Sequence, residues 1–518
     1  MSADAVTATM QFESILSDRP GSGPGPCEPG EPDFFPDLNL DQVLAAVTAG
    51  RGQYDLAPFF YLPLRDVGAV RYRHEVLRDL ENDEVAGAVG RFAGKMRQMR
   101  EHLAQAGKLH YQLQKQAWFL GAAGLYCEAV RSLAHDLGDC KLASPGFGRL
   151  RGYLAGYAGS QAFTALEAET RALKDAIASI RYAVRISGPR VTVSRYDGEP
   201  DYGAQVLETF GKFAQGAVKS YLVTLPESAD MDHIEAQIVG LVARLHPEVF
   251  GQLAAYGTRH RDYLDPVIGR FDREVQFYLG YLDLMGRATA AGLPFCYPQV
   301  SAVSKQIFAR DTFDLALAAK LLPGGGVVTN NFDLQGPERV FVVSGPNNGG
   351  KTTFARAFGQ LHYLASLGLP VPGSRARLFL PDAIYTHFER EEDIGTLRGK
   401  FEDELVRVHK ILQHATSDSV IVMNESFSST SLTDAVFTGT EVMRQILDLG
   451  CLGLYVTFVD EITALSEATG TLVSQIVPDK PAERTFKVLR QPASGLAYAW
   501  ALADKYGLTY EQLMERID

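Results

Sequence analysis

The sequence is short of paired cysteines, of long apolar runs and of excess positive charge, and each shortage removes a class of protein. Five cysteines, Cys27, Cys127, Cys140, Cys296 and Cys451, lie far apart in 518 residues. That spacing argues against a disulfide framework or a zinc site and predicts reduced, mostly buried thiols in a cytoplasmic protein. No apolar run approaches the roughly 18 residues needed to span a bilayer, so no membrane partner is expected. The opening stretch MSADAVTATMQFESIL carries Asp and Glu and lacks the charged-then-apolar pattern of a secretory leader. The net charge is −12. Such a chain is not coated in nucleic-acid-binding charge, so contact with a polyanion has to run through local basic stripes.

What is present suggests two to four domains with ample material for buried cores. Residues 19–36, RPGSGPGPCEPGEPDFFP, are dense in Pro and Gly, and 1–37 is expected to be a flexible tail. Residues 38–291 read as a helical arm. Ala-rich stripes with charge on the opposite face predict long packed helices over 82–139, broken near Gly107 and around Gly121 and Gly124. Residues 180–186 and 190–196 alternate with period two around Ser-Gly-Pro, which predicts a β-hairpin at 180–196. After Pro266, the residues Phe271, Val275, Tyr278, Leu279 and Leu282 share one helical face, although Gly269, Gly280 and Gly286 weaken that stretch. Past Gly292 strand and helix patterns alternate. The expected boundary therefore falls near 292, with an α/β nucleotide-binding domain over 292–518.

The densest signal is Gly345-Pro346-Asn347-Asn348-Gly349-Gly350-Lys351-Thr352-Thr353. An apolar run, Val340-Phe341-Val342-Val343, precedes it, and a helix-like stretch begins at Phe354. Strand, glycine-rich loop and helix form the context in which Gly, four residues, then Gly-Lys-Thr becomes a phosphate cradle. Glycines let backbone N–H groups converge on phosphates, and the helix N-terminus adds its positive dipole end. Lys351 is the expected contact to the outer phosphates and the Thr352 hydroxyl the expected Mg²⁺ ligand, so the chain is read as binding a nucleoside triphosphate, ATP with Mg²⁺. A second buried-strand run at 419–423 ends in Asn424-Glu425. In a P-loop ATPase an acidic residue at this place holds Mg²⁺ and a following Glu polarises water. Here an amide stands first, so Asn424 is the second expected metal-site residue, with Glu425 and Lys351 the expected catalytic pair. A third run, 452–456, ends in Thr457-Phe458-Val459-Asp460.

With these residues in place, the C-terminal part resembles the ATPase domain of the MutS family of DNA mismatch repair proteins. The family's phosphate loop reads GPNMGGKST and this chain has GPNNGGKTT. The family's MDEIGRGTSTYDG is similar, without a gap, to residues 423–435. The family's ATHYFELT is similar to 456–463, and the ending LRQPASGLAYAWALADKYGL resembles the family's last segment. The resemblance covers about 330–508, and more loosely the helical arm, which resembles the family's lever region. It implies an α-helical lever or arm followed by an ABC-type P-loop NTPase domain, an ATPase active as a homodimer, and DNA as partner in a process related to mismatch repair. Composite sites would join Lys351, Thr352 and Glu425 of one subunit to loops 397–401 and 428–432 of the other.

The departures point elsewhere. Asn424 replaces the family's Asp, Phe458 its switch His, and Gly399 a hydroxyl, while Arg398 and Lys400 supply positive charge. The family's mismatch-reading N-terminal domain, with its Phe-x-Glu wedge, has no counterpart; Phe12 and Glu13 are adjacent. Slow ATPase activity, or a nucleotide-gated scaffold on DNA or RNA, fits these changes. The strongest basic stripe runs from Arg91 through Lys95, Arg97, Arg100 and Lys108 to Lys115, and is the expected DNA contact.

Overall fold

The computed structural model describes residues 12–18, 30–199, 231–322, 324–389, 399–477, 480–492 and 514. The described residues fall into two compact units. One comprises Leu80–Leu142 and Gly148–Asp272 with Phe12, and the other Glu13–Asp79, Ala143–Phe147 and the stretch from Arg273 onward.

The first unit is built on the helices Asp83–Lys108 and Gln112–Asp139. Asn82 starts the first of them: its side chain accepts from the Glu84 N–H, and Asp83 and Glu84 place acid at the positive dipole end. The helices run antiparallel, since Arg91 pairs with Asp136, Lys95 with Glu128, and the His102 ring meets Trp118. The expected break near Gly107 falls at 109–111. The expected break at Gly121 and Gly124 does not occur. A Cβ on Gly121 would lie 3.0 Å from His102 Nδ1, so this glycine serves close helix packing inside a continuous helix. The hairpin pairs Tyr182–Ser187 with Arg190–Arg195 antiparallel, Ser187 opposite Arg190.

The second unit holds a six-stranded sheet. Its strands are β1 (Val340–Ser344), β2 (Ile384–Phe388), β3 (Val420–Asn424), β4 (Leu452–Val456), β5 (Thr469–Val477) and β6 (Lys480–Arg490). The spatial order is β2-β3-β4-β1-β5-β6, parallel throughout except for the antiparallel β5–β6 pair. Every residue of β1, β3 and β4 is buried, which is why those runs are apolar without alternation. A four-stranded sheet, in the order Gln299–Ser301, Arg375–Phe379, Phe308–Thr312 and Asn330–Asp333, lies in the same unit. Helical N-terminal architecture and a mixed α/β C-terminal region with a parallel sheet are therefore both present.

Two expectations need correction. Residues 1–37 are not uniformly a tail. Ile15, Leu16 and Phe35 are buried, the Tyr278 hydroxyl donates to the Ile15 carbonyl at 2.9 Å, and Phe35 stacks edge-on with Tyr363. The division at 292 does not coincide with the compact units, because residues 13–18 and 30–79 belong to the unit that holds the sheet. Arg73, fully buried, donates to the carbonyls of Leu16 and Leu367, and Gln360 donates to that of Leu38. Apolar burial of this N-terminal stretch outweighs chain order. The stretch after Pro266 is one helix, Pro266–Ala290. Gly280 lies where a Cβ would meet the Val47 carbonyl at 2.6 Å, so it marks a close approach to the Leu40–Thr48 helix.

Candidate functional site

The phosphate-loop motif bridges β1 and the helix Lys351–Ser366. Its backbone is set by residues at positive φ: Gly345 at 114°, Asn348 at 58° and Gly350 at 89°. Contact with β5 fixes the glycines. A Cβ on either Gly345 or Gly349 would stand 2.6 Å from Ser474 Oγ, and at Gly349 also 2.9 Å from the Pro346 carbonyl. A cavity of about 630 Å³ opens over this loop. Its lining combines the loop residues Asn347 to Thr353 and Glu425 with the apolar side chains of Leu317, Leu321, Val328 and Phe486.

Lys351 is 5% exposed. Its ammonium donates to the loop's own oxygens, the Gly345 carbonyl at 2.9 Å, the Pro346 carbonyl at 3.3 Å and Asn347 Oδ1 at 3.2 Å. Glu425 Oε1 lies 3.7 Å away. Burial lowers the Lys351 pKa, the Glu425 carboxylate works against that, and the nearby Arg484 charge adds to it. Arg484 reaches the loop from β6, its Nε donating to the Asn347 carbonyl at 3.1 Å.

At the end of β3, Asn424 is buried and its Oδ1 has no hydrogen-bond partner among the described residues. It stands behind Glu425 and does not line the cavity. Glu425 takes φ 51°, a left-handed conformation that non-glycine residues seldom adopt, while its N–H donates to the Val456 carbonyl at 2.9 Å. Two residues on, Phe427 is also left-handed at 65°, and its N–H donates to Glu404 Oε2 at 3.0 Å. Burial raises the Glu404 pKa against the pull of that N–H and the Ser429 side chain. His387 Nδ1 and Ser426 Oγ are 2.8 Å apart in the same buried cluster. Phe458, after β4, is 47% exposed.

The structure therefore gathers Asn347 to Thr353 and Glu425 on one cavity, with Gly345 and Pro346 forming the base that holds Lys351. Residues 397 and 398 of the 397–401 loop lie outside the described residues. Gly399 precedes the helix Lys400–His414, and Lys400 is ion-paired with Glu389, so its charge is already neutralised within the chain. In the 428–432 loop, Ser431 caps the helix Leu432–Leu449, from which Leu432 and Phe437 stand 66% and 74% exposed. Half of the basic stripe is matched inside its own unit: Arg91 with Asp136, Lys95 with Glu128, and Arg100 with the fully buried Asp272 at 2.5 Å. Sequence reasoning missed Arg484, Phe486 and the apolar lining from Leu317 to Val328. No local motif marks them; β6 reaches the loop 137 positions after Asn347 through sheet pairing. Among the described residues, Cys127, Cys140 and Cys451 are buried and Cys296 half-buried, all as free thiols. No described helix is long and apolar enough to cross a membrane.

Comparison with known proteins places this geometry. Residues 341–512 match the family model of MutS domain V. A DNA mismatch repair protein MutS of Psychrobacter cryohalolentis is 32% identical over 133 residues, 26% of this chain and 13% of its own length. A second, from Zymomonas mobilis subsp. mobilis, is 31% identical over 175 residues, 34% of this chain and 20% of its length. An endonuclease MutS2 of Gemmatimonas aurantiaca is 28% identical over 220 residues, 42% of this chain and 26% of its length. The matched region is thus about a quarter or less of each of these relatives.

Proposed function

We propose, from the premise that this chain is a MutS-family protein, that it is a MutS-like ATPase in which nucleotide at the loop cavity governs the helical unit's hold on DNA. The observation that carries this is the convergence of the phosphate loop, a desolvated Lys351 and Glu425 on one cavity of about 630 Å³. The fold we read here is an α/β P-loop NTPase of ABC type. The apolar lining of Leu317, Leu321, Val328 and Phe486 suits a base, and the loop end suits phosphates.

The residues fit a Mg²⁺–ATP complex. Thr352 offers a hydroxyl on the cavity wall, whereas Asn424, whose Oδ1 is unpaired among the described residues, does not line the cavity and would reach the metal only through a bridging water. Bound Mg²⁺ would offset charge on the outer phosphate oxygens. In the present state Lys351 is held by the loop's carbonyls and flanked by Glu425. Phosphate oxygens are stronger acceptors than those carbonyls and would draw the ammonium over. Glu425 would then be free to take a proton from the attacking water at its carboxylate.

Homodimerisation through the ATPase regions is part of the proposal. The uncovered Leu432 and Phe437 beside the 428–432 loop support it, as large apolar side chains of this kind favour a covering surface. For DNA, the structure favours the hairpin over the basic stripe. Its register puts Arg185 and Arg190 on one face, both exposed, whereas three of the stripe's cations are matched by acids. A second reading keeps nucleotide binding with little hydrolysis; the neutral Asn424 and apolar Phe458 favour it. ATP turnover of the full chain and of Glu425→Gln, with and without duplex, mismatched and branched DNA, decides. The ATPase reading expects turnover that is lost in Glu425→Gln. Equal turnover in both forms would make Glu425 structural, and no turnover in the wild type removes the ATPase reading in favour of the scaffold.

A further inference from the structure

We propose that Glu404 is a positioning residue of this site: its buried carboxyl holds the turn 425–427 and thereby aims the Glu425 carboxylate into the cavity. The inference rests on the ATPase reading, with Glu425 as the group that activates water.

The first observation is the turn itself. Glu425 and Phe427 are both left-handed, at φ 51° and 65°, with Ser426 between them. Two non-glycine residues in that region persist only where their surroundings over-determine them. Each residue of the turn has its own hold. The Glu425 N–H donates to the Val456 carbonyl at 2.9 Å, at the end of β4. Ser426 Oγ lies 2.8 Å from His387 Nδ1, on β2. The Phe427 N–H donates to Glu404 Oε2 at 3.0 Å. The first two holds come from the sheet that carries the turn, and the third from the helix Lys400–His414.

The second observation is where the carboxyl sits. Glu404 is 3% exposed, whereas Leu405 beside it is 37% exposed. Phe401, Glu404 and Val408 follow at helical spacing on the face turned to the core, and Phe401 meets the Phe427 ring edge-on at 6.2 Å. Packing alone calls for an apolar residue in the middle of that stripe, because a buried carboxyl bears a desolvation cost that apolar atoms escape. The hydrogen bond to the turn is what the carboxyl adds.

The third is the link to the reacting group. Phe427 is fully buried, its ring stacked against His387 at 6.1 Å. Two residues earlier, Glu425 lines the cavity and lies 3.7 Å from Lys351 Nζ. Without its acceptor the buried Phe427 N–H is unsatisfied, and the turn gains by relaxing toward right-handed backbone. That relaxation rotates the peptide units around Ser426 and swings the Glu425 carboxylate off its line. Glu404 does not line the cavity, so it acts through Glu425.

ATP turnover, calorimetric Mg-ATP affinity, thermal melting and hydrogen exchange at the Phe427 amide test this on the full chain. Glu404→Met keeps the volume and removes the acceptor. It is expected to lower kcat by roughly tenfold to a hundredfold, the scale of a small misplacement at a reacting group. Mg-ATP affinity and melting stay near wild type, while the Phe427 amide exchanges faster. Glu404→Gln keeps an acceptor oxygen and recovers most of the turnover. In the Glu425→Gln background, Glu404→Met lowers the residual turnover no further, because the group it positions is already gone. An unchanged kcat in Glu404→Met, a parallel loss of affinity, or the same factor of loss with Glu425 present and replaced makes Glu404 a brace of the core. The proposal then falls with the ATPase reading intact. Should Glu404→Met melt too low to assay, Glu404→Asp, one methylene short of the Phe427 N–H, carries the same expectation and the same refutation. A wild type without turnover, or one matched by Glu425→Gln, removes the role of Glu425 and this inference with it.

Discussion

Two regions of the molecule concentrate positive charge, and they hold it at different distances from acid. In the helical unit, Arg91, Lys95 and Arg100 each meet a carboxylate on a neighbouring element. In the sheet unit, Lys351 donates to carbonyl and amide oxygens of its own loop at 2.9–3.3 Å, with the Glu425 carboxylate farther off at 3.7 Å. A carboxylate cancels a cation, whereas an amide oxygen only parks it, and an arriving phosphate can outcompete the second but not easily the first. A run of Lys and Arg in a sequence thus says little about ligand binding until the partners are known. Here the longer run ties helices together, and the single lysine of the phosphate loop is the cation that lines the cavity.

The comparison breaks most readily at Asp272. That carboxylate is fully buried with Arg100 at 2.5 Å, so Arg100→Met should cost about 3–5 kcal/mol of folding stability at neutral pH by stranding it. Chemical denaturation showing no loss would mean the stripe's cations are not structural. The same pair gives a pH signature. Burial raises the Asp272 pKa from 3.8 to about 6 despite Arg100. Between those two values the folded protein keeps a proton that the unfolded chain has released. Stability from this group is therefore highest below the ordinary carboxylate pKa and falls as pH rises through about 6. Asp272→Asn lacks that fall, so it should gain on the wild type by roughly 2–3 kcal/mol across the window, measured as the difference of two denaturation series.

On the other side of the comparison, Gly349→Ala would push a methyl to 2.6 Å from Ser474 Oγ and 2.9 Å from the Pro346 carbonyl. Overpacking of this kind costs about 1–3 kcal/mol, and nucleotide affinity should drop with it. A variant with wild-type melting and affinity would show that the loop does not need its close seat on β5. The smallest effect sharpens the DNA assignment. Arg185→Glu with Arg190→Glu should flatten the salt dependence of duplex binding by about 0.9 log units for each phosphate no longer neutralised, while Lys95→Ala leaves the slope unchanged. An anisotropy series giving the reverse pattern would assign DNA binding to the stripe instead.

How far these regions could be read from sequence follows from the range of the forces that build them. The loop was legible because its glycines answer to local backbone angles, 114° at Gly345 and 89° at Gly350, between a buried strand and a helix. The β3 strand was legible from its apolar run, but its sequence does not show the left-handed turn at Glu425 or that Asn424 stays off the cavity lining. The hairpin's alternation survived because its turn is local. Glycines misled where tertiary contact set their use: Gly121 and Gly280 look like breaks yet sit inside continuous helices at close approaches. Ile15 and Phe35 lie beside Pro- and Gly-rich sequence, which hid their burial. Arg484 and Phe486 were illegible because a bulge between distant partners aims them.

The left-handed backbone at Glu425 has a consequence for how variants of this protein should be ranked. A non-glycine residue held at φ 51° stores on the order of 1–3 kcal/mol. Glycine would relieve most of it. Glu425→Gly should therefore melt at or above the wild-type temperature even as it deletes the carboxylate proposed to activate water, so a screen for stability at this position would select inactive protein. On the proposed role, the residue that stores strain is the one that activates water, and selection for stability alone would not keep it in place.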